Sequence, residues 1–294
     1  MTESASPRLC PLCGTTGKLA YLENIDPALF SDFTYASRKR PEGMHFELQK
    51  CQGCNLLFTS TLPDYSELIN AYCLAAFDAG LMSEFAARTY AREIYPHINH
   101  SVDSLLDVGC GHGAFMRQSL LSGVSKVFGI EPSTAAAGSG GHEIQNNIAT
   151  CSIEEFETNE KFDLVTLFQT IEHIREPLGF MQKTRDLLSS NGLVAIACHD
   201  FKAPVNMMMR QKSPIFDIEH LQIFSIRSIT KLLEMNNFEV VKISHYANTY
   251  PISYWLRLAP LPSRLKNLVD RNGRLAGIAV RIPVGNIMAI GRKR

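Results

Sequence analysis

The segment SLLDVGCGHGAF, residues 104–115, constrains the fold more than any other part of the chain. An apolar run ends at Asp107, three glycines follow at alternate positions over 109–113, and a helix-like pattern begins at Ala114. Glycine allows a tight turn and a close approach of the backbone to a ligand. A strand, a glycine turn and a helix in this order hold adenosine-containing cofactors in many α/β folds. The segment therefore predicts an α/β domain with such a cofactor at this turn.

Apolar strand-like runs alternate with helix-like segments from residue 102 onward. The runs are SLLDVG, KVFGIEP, FDLVTLF, GLVAIACH, FEVVKISH and NIMAIGRK. This alternation favours a mostly parallel sheet that is covered by helices on both faces. Ahead of it, residues 64–95 show an alanine-rich helical periodicity with a break near Gly80, which predicts one or two helices.

Four of the eight cysteines form two closely spaced pairs near the N-terminus, in CPLCG and CQGCN. The paired residues are Cys10, Cys13, Cys51 and Cys54. A two-residue gap lets a tight turn aim both sulfurs at one ion, and two such turns supply the four thiolates of a tetrahedral zinc site. Gly14 and Asn55, directly after the pairs, tolerate the backbone angles of such a turn. The pattern predicts a structural zinc ion; the alternative is four cysteines packed as small apolar residues.

Composition limits the classes of protein that the chain can belong to. Lys plus Arg and Asp plus Glu both number 29, so no net charge draws the chain toward nucleic acid or a membrane surface. The start, MTESASPRLC, lacks the basic and apolar run of a signal peptide, and no stretch reaches the roughly 18 apolar residues of a membrane helix. We therefore expect a cytoplasmic protein with reduced cysteines and no integral membrane segment.

Two kinds of adenosine cofactor compete for the glycine turn. Gly109, Gly111 and Ala114 fit the loose dinucleotide pattern G-x-G-x-x-G/A, and Glu131 follows at a distance that suits a ribose. However, Asp107 precedes the glycines, and a carboxylate there repels a pyrophosphate but favours a positively charged sulfonium and amino group. The Tyr-x-x-x-Lys signature of short-chain dehydrogenases and sugar epimerases does not occur after the turn. The turn thus favours S-adenosylmethionine over NAD.

Four segments in order, LLDVGCGHGAF, GIEPS, FDLVTLFQTIEHIREP and NGLVAIACHD, resemble successive motifs of class I S-adenosylmethionine-dependent methyltransferases. With CPLCG and LQKCQGCNLLF ahead of them, the chain is similar to a bacterial subgroup that includes deoxysugar C-methyltransferases and enzymes of surface-polysaccharide and natural-product pathways. The resemblance implies a Rossmann-like, seven-stranded methyltransferase sheet with helices on both faces, preceded by a small zinc-binding module. We expect the zinc-binding module over 1–62, a helical bridge over 63–100 and the methyltransferase domain over 101–294.

The resemblance also implies cofactor contacts, by position in the motifs. The implied cofactor-binding residues are Asp107, Gly109, Gly111, Glu131, Ser152, Ile153, Phe168 and Gln169. The first three would hold the methionine end, and Glu131, with two acceptor oxygens, would bind both ribose hydroxyls. Ser152 and Ile153 would line the adenine, and the last two residues would face the transferred methyl group. Two alternatives stay open: Glu131 can cap the helix that begins at PSTAAA, and Ile153 can be a core residue.

An alcohol or a carbon acid needs a base to remove its proton before methylation, and histidine suits this near neutral pH. The candidate catalytic residues are His173, His199 and His220. The first lies in TIEHI and the third in DIEHLQIFS, which match family segments, and the second ends a predicted strand. His112 is expected to shape the glycine turn. The alternatives are that each histidine only orients its neighbours, that the base is Tyr250, or that no base is used.

Two segments are expected to cover the acceptor. Residues 201–220 are rich in methionine and interrupt the strand–helix alternation, which predicts a pliable lid, although Met207–Met209 can instead form a packed helical turn. Residues 248–286 combine aromatic residues with arginines, which suit sugar rings and phosphates; the alternative is a docked amphipathic helix. We expect a small-molecule acceptor, a sugar-containing intermediate such as a nucleotide-linked or lipid-linked sugar, with O- and C-methylation both open.

Three other functions compete with this one. A zinc-ribbon RNA methyltransferase is disfavoured by the zero net charge, and by LFQTIEH where amino-methylating enzymes carry Asn/Asp-Pro-Pro-Tyr, so no nucleic-acid partner is expected. A non-catalytic zinc protein that binds S-adenosylmethionine is disfavoured by the intact set of Asp107, the glycines and Glu131. An NAD-linked sugar enzyme is disfavoured by Asp107 and by the missing Tyr-x-x-x-Lys signature.

Overall fold

A computed structural model of the chain describes residues 8–30, 34, 43–62, 65–75, 80–98, 101–258 and 278–294. Its strands are β1 Gly17–Tyr21, β2 Leu48–Cys51, β3 Leu57–Thr59, β4 Ser104–Val108, β5 Lys126–Ile130, β6 Ile148–Ala149, β7 Phe162–Phe168, β8 Leu188–His199, β9 Gln222–Ile223, β10 Phe238–Pro251 and β11 Ala279–Lys293. Its α-helices are α1 Tyr65–Leu74, α2 Leu81–Ile94, α3 Ala114–Leu121, α4 Thr134–Gly138, α5 His142–Gln145, α6 Pro177–Leu187, α7 Pro204–Met209, α8 Ile226–Met235 and α9 Ile252–Leu258. Single 3-10 turns cover Pro27–Leu29, Tyr95–His97 and Arg210–Lys212.

The larger sheet has seven strands in the order β10-β11-β8-β7-β4-β5-β6. All neighbouring pairs from β8 to β6 are parallel, whereas β11 runs antiparallel to both β8 and β10. Within β4, Leu106 and Val108 join one hydrophobic cluster and Leu105 joins another. Because side chains alternate along a strand, these clusters lie on opposite faces of the sheet. The expected Rossmann-like α/β architecture is confirmed.

The antiparallel pair at one edge of this sheet is longer than predicted. β10 continues to Pro251 and β11 begins at Ala279, so both ends of the segment 248–286 are strand. Pro283 breaks the strand pattern in the sequence, and the pairing accommodates it with a shift in register between Tyr246 and the residues after it. The middle of the segment, residues 259–277, lies outside the described residues.

The N-terminal sheet has four strands in the order β1-β2-β3-β9, and all its pairs are antiparallel. Its edge strand comes from much later in the chain, since Leu57 pairs with Ile223 and Phe58 with Gln222. The sheet therefore takes strands from both predicted units, 1–62 and 101–294. The unit boundaries themselves stay predictions.

Two helices, α1 and α2, occupy the predicted helical segment on either side of Gly80. The alanine-rich side of α2 is buried in the sheet's core cluster, where Ala86, Ala87 and Ala91 let the helix approach closely. Residues 76–79, between the two helices, lie outside the described residues. Over the described ranges, no helix combines the length and the apolar composition needed to cross a membrane.

Candidate functional site

The four paired cysteines converge beside the N-terminal sheet. Their Sγ atoms all lie within 4.8 Å of one another. The Sγ atoms of Cys10 and Cys54 are 3.6 Å apart, and those of Cys13 and Cys51 are 3.4 Å apart. A tetrahedral zinc ion with Zn–S bonds of about 2.3 Å places its sulfurs about 3.8 Å apart, whereas a disulfide needs about 2.05 Å. The spacing therefore fits a metal site with four thiolates.

The backbone around these cysteines has the conformation that the sequence predicts. Gly14 has a φ of 66° and Asn55 a φ of 61°, both in the left-handed region. The Gly14 amide donates to the Cys10 carbonyl at 2.9 Å, and the Asn55 amide donates to the Cys51 carbonyl at 3.2 Å. Hydrogen bonding from the Cys54 thiol lowers the pKa of Cys10, whereas the same bond raises the pKa of Cys54 and burial raises that of Cys51, so Cys10 is the thiolate of its pair with Cys54.

The glycine turn lies between β4 and α3, at the edge of a cavity. Gly109 and Gly111 have φ angles of 75° and 55°, which disfavour any other residue. A Cβ atom at Gly109 would lie 2.6 Å from the Thr170 Oγ1, so a side chain there would collide. The Gly109 amide donates to the Ile130 carbonyl at 2.8 Å, which ties the turn to the end of β5. The turn thus keeps its backbone exposed to the cavity.

Glu131 follows β5 and is fully buried at the cavity wall. One carboxylate oxygen accepts a hydrogen bond from the Gly111 amide at 2.9 Å, and the other accepts from the Ser133 amide at 2.9 Å and the Tyr72 hydroxyl at 3.1 Å. Burial raises the pKa of Glu131 despite these bonds. The N-cap of α4 is Ser133, whose hydroxyl accepts from the Ala136 amide, so the helix does not depend on Glu131 for its cap.

Asp107 lies near the end of β4 and is 3% exposed. Its carboxylate accepts a hydrogen bond from the Thr166 hydroxyl at 2.7 Å. Burial raises the pKa of Asp107 to about 7, although the Thr166 hydroxyl lowers it. A buried carboxylate without a cationic partner is costly, so this wall of the cavity favours a ligand that brings a positive charge.

Phe168 is the last residue of β7 and Gln169 comes directly after it, and both line the same cavity. The Phe168 ring stacks on Tyr90 of α2, with ring centroids 4.1 Å apart and planes at 24°. Gln169 has a φ of 54°, and its amide donates to the Ala197 carbonyl at 2.8 Å. The Gln169 Oε1 is buried and has no hydrogen-bond partner among the described residues. This oxygen is therefore available to a ligand donor.

Ser152 and Ile153, expected at the adenine, are not among the residues that line the cavity. Ile153 is 3% exposed and packs in a core cluster with Ile130, which is the alternative role that the sequence allowed. The Ser152 hydroxyl accepts from the Glu155 amide at 3.3 Å, and the Glu155 carboxylate accepts from the Ser152 amide at 3.0 Å. The structure thus does not bring this pair together with the other predicted cofactor residues.

The three candidate histidines form one cluster. Ring centroids are 4.9 Å apart for His173 and His220, and 5.3 Å apart for His199 and His220. The Nδ1 of His173 contacts the Glu219 carbonyl at 3.1 Å, and the Nδ1 of His220 contacts the Ile215 carbonyl at 2.8 Å. A carbonyl only accepts, so Nδ1 carries the proton and Nε2 is the free base in the neutral rings.

The His220 ring is held in its neutral form. Burial and the neighbouring charges of His173 and His199 together lower the pKa of His220 to about 4, although Glu172 and Asp217 raise it. At neutral pH its Nε2 therefore offers a lone pair rather than a proton. The surroundings thus favour the neutral form of the His220 ring, which lines the cavity.

Glu172 supports this cluster, and the sequence analysis did not single it out. It is fully buried, and one carboxylate oxygen accepts hydrogen bonds from the His199 amide at 2.8 Å and the His199 Nδ1 at 3.1 Å. Burial raises the pKa of Glu172, but the hydrogen bond from His199 and the charges of the histidines lower it by more, so it stays ionised. Its position directly before His173 in TIEH was the available signal.

One cavity of about 610 Å³ joins these groups. Its lining includes Asp107, Gly109, Gly111, Glu131, Phe168, Gln169, His173, His199 and His220. All of them except His220, which precedes β9, follow or end parallel strands, whose carboxyl ends meet at one edge of the sheet. The volume falls in the range of about 300–1,000 Å³ that is usual for small-molecule sites. His112 also lines the cavity, and its carbonyl accepts a hydrogen bond from Arg117, which supports the turn.

Aromatic residues from the predicted covering segment line another part of the cavity. The ring of Tyr250 lies 4.5 Å from that of Tyr254 and 5.4 Å from that of Trp255, and all three contribute to the wall. The Trp255 Nε1 donates to the Val280 carbonyl at 2.9 Å, which fixes the indole. Arg281 instead pairs with a glutamate on α2 and is half exposed. The predicted aromatic contribution is present, but this arginine does not reach the cavity.

The methionine-rich segment forms the helix α7 beside the cavity. Asn206 and Met209 line the wall, whereas Met207 and Met208 are 61% and 79% exposed. The Asn206 Nδ2 donates to the carbonyl of Asp200 at 2.7 Å, which anchors the helix. The methionines thus form a helical turn, as the alternative expected, but two of them are not packed.

Known proteins place this architecture in a family. A family model described as a methyltransferase domain matches residues 77–243, which is more than half of the chain. The chain belongs to this methyltransferase-domain family. A solved structure from Archaeoglobus fulgidus, titled as an S-adenosylmethionine-dependent methyltransferase, has a TM-score of 0.51 at 16% identity and aligns over 78% of this chain and 100% of its own. That likeness concerns the fold.

Curated relatives match only part of the chain. The tRNA U34 carboxymethyltransferase of Vibrio campbellii is 27% identical over 159 residues, which are 51% of this chain and 49% of that protein. The ubiquinone biosynthesis O-methyltransferase of Rhodopseudomonas palustris is 30% identical over 98 residues, which are 32% of this chain and 38% of that protein. The chain thus spans at most about half the length of these relatives.

Proposed function

We propose that the protein transfers a methyl group from S-adenosylmethionine to a small-molecule acceptor, a sugar-containing intermediate with an acidic hydroxyl or carbon. The observation that carries this proposal is the one cavity in which Asp107 and Glu131 share space with three histidines. The family supplies the class of activity, since methyltransferase domains are what the chain matches. The acceptor class comes from the remaining wall of the cavity.

The residues of the cavity fit S-adenosylmethionine. Asp107 is a buried carboxylate with no cationic partner among the described residues, and the cofactor brings a sulfonium and an ammonium group. Glu131 has two carboxylate oxygens at the cavity wall, which match the two neighbouring hydroxyls of a ribose. When bound, the cofactor supplies a methyl group that is already activated by its positive sulfur. The Tyr72 hydroxyl on Glu131 would have to share or leave this carboxylate when a ribose binds.

The chain's own residues would orient the acceptor and take its proton. The lone pair on the His220 Nε2 is our proposed proton acceptor, because the ring is neutral and Nδ1 is bonded to a carbonyl. The ring centroids of His173 and His199 lie 4.9 and 5.3 Å from that of His220. These two rings would bind the acceptor oxygen or relay the proton to solvent. Glu172 would hold the His199 tautomer through its contact at 3.1 Å. Alignment of the reacting atoms supplies the rest of the rate enhancement.

A hydroxyl-rich acceptor matches the unpaired oxygens of the wall. The Gln169 Oε1 and the Asn286 Oδ1 are buried at the cavity and have no hydrogen-bond partner among the described residues. Buried acceptors of this kind require a donor, and the hydroxyls of a sugar supply donors. The aromatic rings of Tyr250 and Trp255 offer an apolar surface for the face of a sugar ring. Together these groups support a polyol or sugar acceptor.

We also propose that the cysteine cluster holds a structural zinc ion. Four thiolates satisfy a tetrahedral ion and leave no open position for catalysis. Zinc ligation requires reduced cysteines, which agrees with a cytoplasmic location for the protein. The ion would fix β2 and the loop before β1, and thereby the sheet that β9 completes.

Titration calorimetry with S-adenosylhomocysteine tests the cofactor site. We expect binding by the wild type, a loss of at least about tenfold in affinity for Glu131→Gln, and no change for the exposed control Glu160→Gln. Methyl transfer from radiolabelled S-adenosylmethionine to a panel of nucleotide sugars, sugar phosphates and polyphenols then tests the acceptor class. Absence of binding by the wild type would refute the proposal, and transfer only to phenols would refute the sugar acceptor.

An RNA acceptor is the second candidate, because one relative is named a tRNA carboxymethyltransferase. The zero net charge gives no general attraction to a polyanion. A gel-shift titration with bulk tRNA at two salt concentrations separates the cases. Tight, salt-dependent binding of tRNA together with methyl incorporation into RNA would favour this candidate over a small molecule.

A further inference from the structure

A second cavity lies between the N-terminal sheet and the segment around α7. It has a volume of about 720 Å³ and is lined by Ala20, Tyr21, Lys50, Leu57, Phe201, Lys202, Met207 and Arg210. Its cationic residues come from three separate parts of the chain: β2, the loop after β8 and the end of α7. Within the described part of the chain, the lining contains no acidic residue. Three cations around one concavity define an electropositive site for an anion.

Carboxylates among the described residues do not balance these cations. Across the described residues, no carboxylate forms an ion pair with Lys50, Lys202 or Arg210. Lys18 is a fourth cation, because it is directly opposite Lys50 in the antiparallel pair of β1 and β2, and opposed residues project from the same face. Like charges placed opposite each other in a sheet are unfavourable without a counterion. An anionic ligand would remove this cost.

The floor of the second cavity is apolar and partly aromatic. Leu57 is 1% exposed, and Tyr21 packs edge-on against Phe216 with ring centroids 4.9 Å apart. Phe201 supplies a second aromatic residue in the lining. Aromatic rings beside cations match a ligand that joins a phosphate group to an apolar or planar group.

The helix α7 separates this cavity from the first one. Met207 and Arg210 line the second cavity, whereas Val205, Asn206 and Met209 line the first. Neighbouring residues of one short helix thus contribute to both walls. A ligand with two parts, joined by a short linker, can extend from one cavity to the other along α7.

We propose that the second cavity binds the phosphate or diphosphate group of the acceptor, held by Lys50, Lys202 and Arg210 over Tyr21 and Phe201. The assignment of this anionic group to the acceptor rests on the proposed function. The presence of an anion site in the second cavity does not. It also gives the cysteine cluster a role, because Lys50 directly precedes Cys51 and is positioned by the same strand. The shared chemistry is a diphosphate, which a nucleotide-linked or a lipid-linked sugar would both present.

Calorimetry on the full chain, with inorganic pyrophosphate and uridine diphosphate as probes, tests the site. We expect both to bind the wild type more weakly at higher salt, and uridine alone not to bind. The triple variant Lys50→Gln, Lys202→Gln, Arg210→Gln should lose at least about tenfold in affinity for both. The matched control Arg88→Gln, Lys126→Gln, Lys231→Gln removes three cations that line neither cavity and should bind as the wild type does.

The source of the diphosphate is distinguished by a second pair of probes. Flotation with phosphatidylcholine vesicles that carry polyprenyl diphosphate, compared with plain phosphatidylcholine vesicles, tests a lipid-linked group. Binding to either diphosphate source that the triple variant loses supports the proposal and identifies the source. Absence of binding to both sources, or binding that the triple variant retains, overturns it. Loss of tRNA binding in the triple variant without diphosphate binding would also overturn it in favour of RNA.

Binding of S-adenosylhomocysteine, measured on the same samples, separates this inference from the proposed function. A triple variant that binds S-adenosylhomocysteine normally is folded and keeps its first cavity. Its loss of diphosphate binding is then a local effect at the second cavity. A wild type that binds diphosphate but no S-adenosylhomocysteine would refute the proposed function and leave the anion site intact.

Discussion

Replacing Asp107 by asparagine should make the ligand-free protein more stable at alkaline pH while it weakens the cofactor site. The carboxylate is 3% exposed, and its described polar contact is the Thr166 hydroxyl at 2.7 Å. Asparagine keeps an oxygen that accepts this bond and removes the charge. The variant therefore isolates the cost of holding a buried carboxylate ready for a cationic ligand.

The expected magnitude follows from the pKa of Asp107. Burial raises this pKa from 3.8 to about 7, and each pKa unit corresponds to about 1.4 kcal/mol, which gives about 4 kcal/mol in total. The folded state holds the proton more tightly than the unfolded state. This contribution to the free energy of unfolding is therefore fully present below pH 3.8 and is lost as the pH rises through about 7. Between pH 5 and pH 8, Asp107 accounts for a loss of about 2–3 kcal/mol.

Urea unfolding of the ligand-free proteins at pH 5 and pH 8 measures this effect. The stability of Asp107→Asn relative to the wild type should rise by about 2–3 kcal/mol between the two pH values, since asparagine does not titrate. Asp163→Asn is a control of opposite sign. Burial raises the pKa of Asp163, but hydrogen bonds from Ser189, Ser104 and backbone amides lower it by more, so its removal should destabilise the protein at pH 8.

Ligand binding should act on the stability of the two proteins in the opposite direction. Saturating S-adenosylhomocysteine should stabilise the wild type more than Asp107→Asn, because only the wild type offers a carboxylate to the amino group. A relative stability that does not change between pH 5 and pH 8 would show that Asp107 ionises normally and would refute the reasoning about the cavity wall.

Four further outcomes are expected. His220→Asn should reduce methyl transfer by about 100-fold or more while S-adenosylhomocysteine still binds, as measured with radiolabelled cofactor; unchanged transfer would remove His220 as the base. Because burial and the two neighbouring histidines lower the pKa of His220 to about 4, deprotonation of this ring should not limit wild-type activity between pH 5 and pH 7, so an acid limb near pH 6.5 would contradict that assignment. Glu172→Gln should lower kcat more than it raises KM and should move the pH profile, since the contact of 3.1 Å with His199 loses its charge; Glu160→Gln, at an exposed position, is the control, and an unaltered profile would contradict a positioning role. Removal of zinc should release one equivalent of metal, detected with a colorimetric chelator, and lower Tm, and Cys54→Ser should release none; a protein that binds no zinc but keeps its Tm would refute the metal site.

The sequence predicted the parts of the fold that depend on local patterns. The strand and glycine turn over 104–115 appear as β4 and the start of α3, because the glycines' positive φ angles leave few alternatives. The left-handed backbone at Asn55 follows in the same way from the cysteine pair before it. Strand ends were less predictable. Pro283 interrupts the strand pattern of β11 in the sequence, and the pairing of Ile282 and the residues before it with β10 is found only in the structure.

Residues whose role depends on distant partners could not be found from the sequence. Tyr72 meets Glu131 at 3.1 Å across 59 positions of the chain, and nothing near Tyr72 indicates that contact. The adenine assignment of Ser152 and Ile153 depended on alignment by position and stays a prediction; Ile153 packs in a core cluster. Glu172 differs, because its position beside His173 is a signal in the sequence. Only the structure shows that its carboxylate is buried and accepts hydrogen bonds from His199.

The pairing of β3 with β9 connects the cysteine cluster to the histidines. Gln222 of β9 bonds through its side chain to the carbonyl of Ile171 at 2.8 Å, and the Leu221 amide bonds to the Glu172 carbonyl at 3.0 Å. His220 immediately precedes these residues, so the two bonds that hold the edge of the N-terminal sheet also limit where its ring can lie. A two-residue strand is weak on its own and depends on its neighbours for order. Loss of the ion should therefore disturb the His220 ring and reduce methyl transfer before it unfolds the larger sheet. Histidine ring resonances that stay unchanged on chelation, while Tm falls, would show that the two sites are independent.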